Sequence, residues 1–207
     1  MQFKDVITDR ERFREVMGEP PPACVAKTIV ALDRHCRDFI GKSPFILIAS
    51  SNSRGQMDIS PKGDAAGFVR VLDESTLAIP DRPGNRRADT FTNILENPRV
   101  GLIFLLPGKN ETLRVSGSAQ IVRDSDLRES MTVRGKVPDF ALVVEVQEAF
   151  FHCSKCIIRS SLWNPQAWPS LDGLANLAQV MVEEAKLTMS VKELDEIIKQ
   201  DETERLY

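Results

Sequence analysis

Between Phe45 and Phe151 apolar residues recur with a period close to two, and turn residues divide them into short runs, the pattern of an antiparallel sheet. FILIAS (Phe45 to Ser50) reads as a buried strand, Asn52-Ser53-Arg54-Gly55 as a hairpin turn and Met57 to Pro61 as the returning strand. Gly63 and Gly67 bend the path into a second pair, Phe68 to Leu72 and Thr76 to Pro80, around Asp73-Glu74-Ser75. VGLIFLL (Val100 to Leu106) and ETLRVSGSAQIV (Glu111 to Val122) flank the turn Pro107-Gly108-Lys109-Asn110, and Phe140 to Phe151 gives the last long strand. Short antiparallel strands in this number predict a small barrel, because closure removes the exposed edges that invite aggregation.

Helical patterning brackets the sheet. Thr8 with Glu11 reads as a capping box, followed by a charged helix that Gly18 ends. Val25, Ile29, Leu32, Cys36 and Phe39 then recur at helical spacing up to Gly41, predicting one amphipathic helix. Within the sheet region, helices are predicted at Arg87 to Glu96 and around Asp126 to Met131. Beyond Trp163 a stripe of Leu174, Leu177, Val180 and Met181 precedes a last helix, which Ser190 and Glu193 cap and which carries Leu194, Ile197 and Ile198. The expected organisation is a helical extension over residues 1–42, a barrel over 43–163 and a helical tail over 164–207 packed on the barrel, forming one domain.

Composition narrows the class. The chain has 207 residues, 42% hydrophobic and 28% charged, so it can bury a substantial core. A net charge of −3 argues against a nucleic-acid binder, which needs a basic face for phosphates. No apolar run reaches the roughly 18 residues of a membrane span, and the charged start MQFKDVITDRERFR is unlike a signal peptide. A cytoplasmic location is expected, with Cys24, Cys36, Cys153 and Cys156 as reduced thiols.

The densest chemistry lies in Pro80-Asp81-Arg82-Pro83-Gly84-Asn85-Arg86-Arg87-Ala88-Asp89-Thr90, which leaves a strand, turns and enters a helix. Asn85 reads as its N-cap, so free amides and the positive helix end fall beside Arg86 and Arg87, an arrangement suited to a phosphate dianion. A solvated basic helix start is the bland alternative.

At this point the sequence resembles the pyridoxamine 5'-phosphate oxidase-related family of split barrels that bind flavin mononucleotide (FMN). GNRRADTFTNILENPRVGLIF is similar to the family's phosphate clamp, helix and Asn-Pro-Arg-Val strand entry. MDISPKGD resembles the strand under the flavin, ETLRVSGSAQIVRD the paired strand with its central glycine, and AFFHCSKCIIRSSLW the closing motif of an uncharacterised subfamily. The resemblance runs from about Phe45 to Arg159. It implies a mainly β, PNPOx-like split β-barrel with flanking helices and an FMN-dependent oxidoreductase of unassigned substrate. It also implies a homodimer with the cofactor at the subunit interface and NAD(P)H as a candidate donor.

Carried over by position, Asn85, Arg86 and Arg87 would grip the phosphate, and Ile59, Ser60, Pro61 and Lys62 would line the isoalloxazine ring. Pro80 and Asp81 would add contacts, and Arg114 and Ser116 of a partner chain would reach the other face. Lys62 is the residue expected to tune the chemistry, since a cation near the pyrimidine end stabilises the reduced flavin. His152 is a candidate for facing the site, and Lys155, Arg159 and Trp163, on one expected helical face, could bring two cations and an aromatic ring near the flavin. The sequence departs from vitamin B6 oxidases where Met57 and Asp58 replace an arginine at the start of the flavin strand and where an Arg-x-His near the C-terminus is missing. One phosphate ligand is thus missing or replaced, and vitamin B6 phosphate oxidation is not implied. Two other classes stay open: a non-enzymatic flavin or haem-binding protein, and a thiol redox protein using Cys153 and Cys156. The cysteine spacing gives no expectation of a metal site.

Overall fold

The computed structural model describes residues 1–207. Its centre is one seven-stranded antiparallel sheet in the order β2-β1-β5-β6-β7-β4-β3. The strands are β1 (Phe45–Ser51), β2 (Met57–Gly63), β3 (Arg70–Val71), β4 (Thr76–Pro80), β5 (Arg99–Leu105), β6 (Thr112–Val122) and β7 (Ala141–His152). Alternation decides which side chains go inward. Ile46 and Ile48, Val100, Leu102 and Phe104, Leu113 and Val115, Val144 and Val146, and Leu77 and Ile79 all meet in one core cluster. A sheet whose successive inward faces share one core has to curl round it. Its edges, β2 and β3, stay separate, so the barrel is split, with flanking helices.

The helices are α1 (Arg10–Met17), α2 (Pro22–Ala26), α3 (Arg34–Ile40), α4 (Asp89–Glu96), α5 (Ser125–Ser130), α6 (Lys155–Arg159), α7 (Leu177–Glu184) and α8 (Val191–Glu204). None is long and apolar enough to cross a membrane. The structure corrects several sequence expectations. Asp9, not Thr8, caps α1 by accepting from the Arg12 amide. The single helix expected over Val25 to Phe39 is broken. Ile29 pairs with Ala149 of β7 through two backbone bonds of 2.9 and 2.8 Å, and Asp33 then starts α3 by accepting from the Cys36 amide. The β-branched run Thr28-Ile29-Val30 favours the extended conformation. The strand expected over Phe68 to Leu72 shrinks to Arg70–Val71.

Gly117 sits at a register shift in the β6–β7 pairing. A Cβ there would drive into the Glu145 carbonyl on the neighbouring strand, so only glycine fits. The tail folds as a helical hairpin in which Ala178 and Leu194 are buried. Its expected stripe of Leu174, Leu177, Val180 and Met181 instead remains exposed in the single chain.

Candidate functional site

A cleft of about 1210 Å³ opens between the outer strand β2 and the segment that joins β4 to α4. Asp58, Ile59, Ser60, Pro61 and Lys62 of β2 line one side, and the whole turn from Asp81 to Thr90 lines another. The far wall comes from Arg123 and the Lys136–Phe140 segment, with Arg205 and Tyr207 of the tail at its margin.

Polar side chains fix the helix that opens on this cleft. The Thr90 hydroxyl donates to Asp58 of β2 at 3.0 Å, Asn93 donates to Ser50 of β1 at 3.1 Å, and Asn97 donates to Ser51 at 2.9 Å. At the far end Glu96 accepts from the Ser53 amide and hydroxyl in the β1–β2 turn. These bonds hold α4 across the hairpin and aim its N-terminus at the cleft.

That N-terminus has no side-chain cap. Asp9, Asp33, Asp124, Asn176 and Ser190 cap α1, α3, α5, α7 and α8, but the residue before α4 is Ala88, in a left-handed conformation at φ 56°. The sequence expectation that Asn85 caps this helix is therefore wrong. Asn85 accepts from the Arg87 amide at 3.0 Å, which closes a small local turn, and the helix starts at Asp89 instead of Arg87. Arg86 is left-handed too, at φ 58°. Two non-glycine residues in this region cost roughly 1 kcal/mol or more each, and such strain gathers at ligand sites. The first-turn amides of α4 thus face the cleft without a protein acceptor, beside exposed Arg86 and Arg87. Arg87 donates through Nε to Asp89 at 2.8 Å, which raises its already high pKa, and it is 74% exposed.

Charge on the floor is mixed. Burial pushes the Asp81 carboxyl above its ordinary value; the Lys62 ammonium opposes this and Asp139 reinforces it. Arg82 belongs to a separate interaction. Its Nε donates to Asp64 at 2.6 Å and its Nη2 to the Met131 carbonyl at 3.0 Å.

The cleft brings together Ile59, Ser60, Pro61, Lys62, Asp81, Asn85, Arg86 and Arg87 from the expected set. Pro80 does not line it, because this residue is buried in β4 opposite Ala141. Arg114, Ser116, His152, Lys155 and Arg159 lie outside it in the same chain. Arg114 stands over the Phe150 ring at 5.0 Å, and His152 pairs with Thr112 at the end of β7. Helix α6 stops at Arg159, so Trp163 leaves the expected helical face and donates its indole N–H to the Lys109 carbonyl at 2.8 Å. Cys153 and Cys156 are exposed free thiols. No group of three or more His, Cys, Asp or Glu side chains is placed to hold a metal ion. Of the cleft lining, sequence reasoning missed Arg123, Lys136, Arg205 and Tyr207. The single tyrosine in the chain was the available signal for the last of these.

No curated protein matches the chain. Among solved structures, HupZ of Group A Streptococcus is 21% identical at a TM-score of 0.48, covering 57% of this chain and 92% of its own. A Clostridium acetobutylicum protein related to general stress protein 26, of the pyridoxinephosphate oxidase family, is 15% identical at 0.42, covering 57% and 85%. HutZ, the haem storage protein of Vibrio cholerae, is 18% identical at 0.41, covering 57% and 93%. The family model for pyridoxamine 5'-phosphate oxidase matches residues 32–153, a span that holds all seven strands and the Asp81–Thr90 turn. With more than half of its length inside that match, the chain belongs to the pyridoxamine 5'-phosphate oxidase family.

Proposed function

We propose that the cleft between β2 and α4 binds FMN and that the protein is an FMN-dependent oxidoreductase. One observation carries this reading: the uncapped N-terminus of α4 opens beside Arg86 and Arg87 at one end of a cleft whose side is the strand Ile59–Lys62. Unpaired first-turn amides, a positive helix end and two guanidinium groups together suit a phosphate dianion. A cleft of about 1210 Å³ leaves room for the rest of a mononucleotide.

Bound FMN would supply hydride transfer at its isoalloxazine ring. Arg86, Arg87 and the α4 amides hold the phosphate end. The β2 backbone gives a flat wall, because strand side chains alternate and every second one turns away. Lys62 brings a positive charge to that wall, next to Asp81. Arg123 and Lys136 give the opposite wall a second pair of cations, which favours an anionic substrate or donor.

Arg114, Ser116, Lys155, Arg159 and His152 enter this reading through a second copy of the chain, since they lie outside their own cleft. The assembly we propose is a homodimer with one cofactor site at each seam.

The absorption spectrum of the purified protein tests the cofactor. Flavin bands, or quenching of flavin fluorescence when FMN is titrated in, are expected. A colourless protein that quenches nothing overturns the proposal, and a haem spectrum as isolated replaces FMN with haem. Reduction of the bound flavin by NADH or NADPH, then turnover with an acceptor, separates an enzyme from a carrier.

A further inference from the structure

Tyr207 touches the base of the turn that carries Arg86 and Arg87 through a buried carboxylate, Asp64. Asp64, just beyond β2, has a side chain only 1% exposed and accepts from three donors. The Ala65 amide and the Tyr207 hydroxyl reach Oδ1 at 2.7 Å each, and Arg82 Nε reaches Oδ2 at 2.6 Å. Two guanidinium groups lie over the Tyr207 ring, that of Arg82 at 5.8 Å and that of Arg134 at 4.9 Å. Burial pushes the Asp64 carboxyl up, but the Tyr207 hydroxyl, the Ala65 amide and Arg82 together hold it below its ordinary value.

Arg82 stands where the chain leaves β4 and enters the turn that carries Arg86 and Arg87. Its exit side is held by Thr90 on Asp58, and on its entry side Arg82 is pinned at both ends, to Asp64 and to the Met131 carbonyl. Only Pro83 and Gly84 separate Arg82 from Asn85, and Pro83 fixes its own φ, so a shift of Arg82 on Asp64 displaces the start of the turn.

We propose that Tyr207 is a positioning residue, acting through Asp64 and Arg82 to set how tightly the turn grips the phosphate end of the ligand. The proposal rests on the FMN reading for the identity of that ligand, but its first half can be tested without any ligand. Removing the hydroxyl leaves Asp64 Oδ1 with one donor fewer in a buried site, so the carboxylate can rotate and Arg82 loses its fixed partner.

Tyr207 is the only tyrosine in the chain, so its ionisation can be read from ultraviolet absorption. Bonded to the Asp64 carboxylate, it should ionise above its ordinary 10.0, and Asp64→Asn should bring it back down. A tyrosine that titrates at the ordinary value in the parent protein shows that the contact does not form in solution and overturns the proposal. The second measurement compares FMN with riboflavin, which lacks the phosphate. Tyr207→Phe is expected to weaken FMN binding about fivefold and leave riboflavin unchanged. A merely structural effect would weaken both alike. Adding Asp64→Asn to Tyr207→Phe should cost little more than the worse single change, because the two share one relay. Where Asp64→Asn does not fold, Tyr207→Phe carries the test alone. A parent protein that prefers FMN, with the same preference in Tyr207→Phe, overturns the relay and leaves the cofactor reading intact. A parent with no preference for FMN over riboflavin overturns both.

Discussion

Arg82 and Arg87 flank the same turn, yet their surroundings give them different work. Arg82 is 16% exposed and committed to Asp64, so its removal strands a buried carboxylate. Arg82→Ala should therefore lower stability by about 3 kcal/mol, read from denaturant unfolding. Arg87 has only the Asp89 contact through Nε, so its two Nη groups stay available for a bidentate grip on phosphate. Arg87→Ala should leave the fold intact and weaken FMN binding by about 2 kcal/mol, roughly thirtyfold, by fluorescence titration. An unchanged affinity would move the phosphate to another part of the cleft. The thiols divide by the same reasoning. Burial, reinforced by Asp33, pushes Cys36 from an ordinary 9.0 to about 12, whereas Cys24, Cys153 and Cys156 are exposed. Alkylation of the native protein at mildly alkaline pH should label those three, and Cys36 only after unfolding. The folded state favours the protonated Cys36 thiol, so its contribution to stability is complete below 9.0 and is lost as pH rises through about 12.

At the scale of elements, β6 and β7 depend on the absence of one side chain. Gly117 sits where the register slips, and a methyl group there meets the backbone of Glu145 and Val146, which cannot swing aside as a side chain could. Gly117→Ala should lower the unfolding free energy by about 3 kcal/mol, seen as a reduced denaturant midpoint, and a neutral substitution would mean that the strands separate locally at small cost. The strands are legible in the sequence for a simple reason. A barrel wall buries one face, so Val100 to Leu106 and Thr112 to Val122 must alternate, and period two survives any choice of neighbours. The α2–α3 region misleads because its apolar residues, spaced as in a helix, serve two ends: Ile29 pairs with β7, while Cys36 and Phe39 pack from α3. Phe39 meets Phe151 edge to face at 5.5 Å. The arginine-rich turn on the cleft is legible because its arginines are close in sequence. The Asp64–Tyr207 contact spans 143 residues, and no local pattern marks either partner.

Taken as a whole molecule, the single chain leaves apolar surface that its own core does not use. On the outer strand β2, Met57 is 66% and Ile59 65% exposed, and in the tail Leu174 is 71% exposed. An edge strand with apolar side chains and unpaired backbone groups is costly to leave in water. The residues that the family resemblance assigns to the other face of the flavin, Arg114 and Ser116, lie outside the cleft of their own chain. A two-fold dimer would resolve both facts at once, burying the outer surface and bringing one chain's β6 to the other's cleft. Light scattering behind size exclusion should then report twice 23.2 kDa at micromolar concentration. If each FMN touches both chains, assembly and binding are linked, so FMN should raise the melting temperature and its apparent affinity should fall on dilution below the dimer dissociation constant. Arg114→Glu should weaken FMN binding even though the residue lies outside the cleft of its own chain, because in the proposed dimer it places a negative charge against the flavin face of the partner site. A stable monomer that keeps stoichiometric FMN would defeat the dimer and the role of Arg114 together, since the cleft would then be complete within one chain.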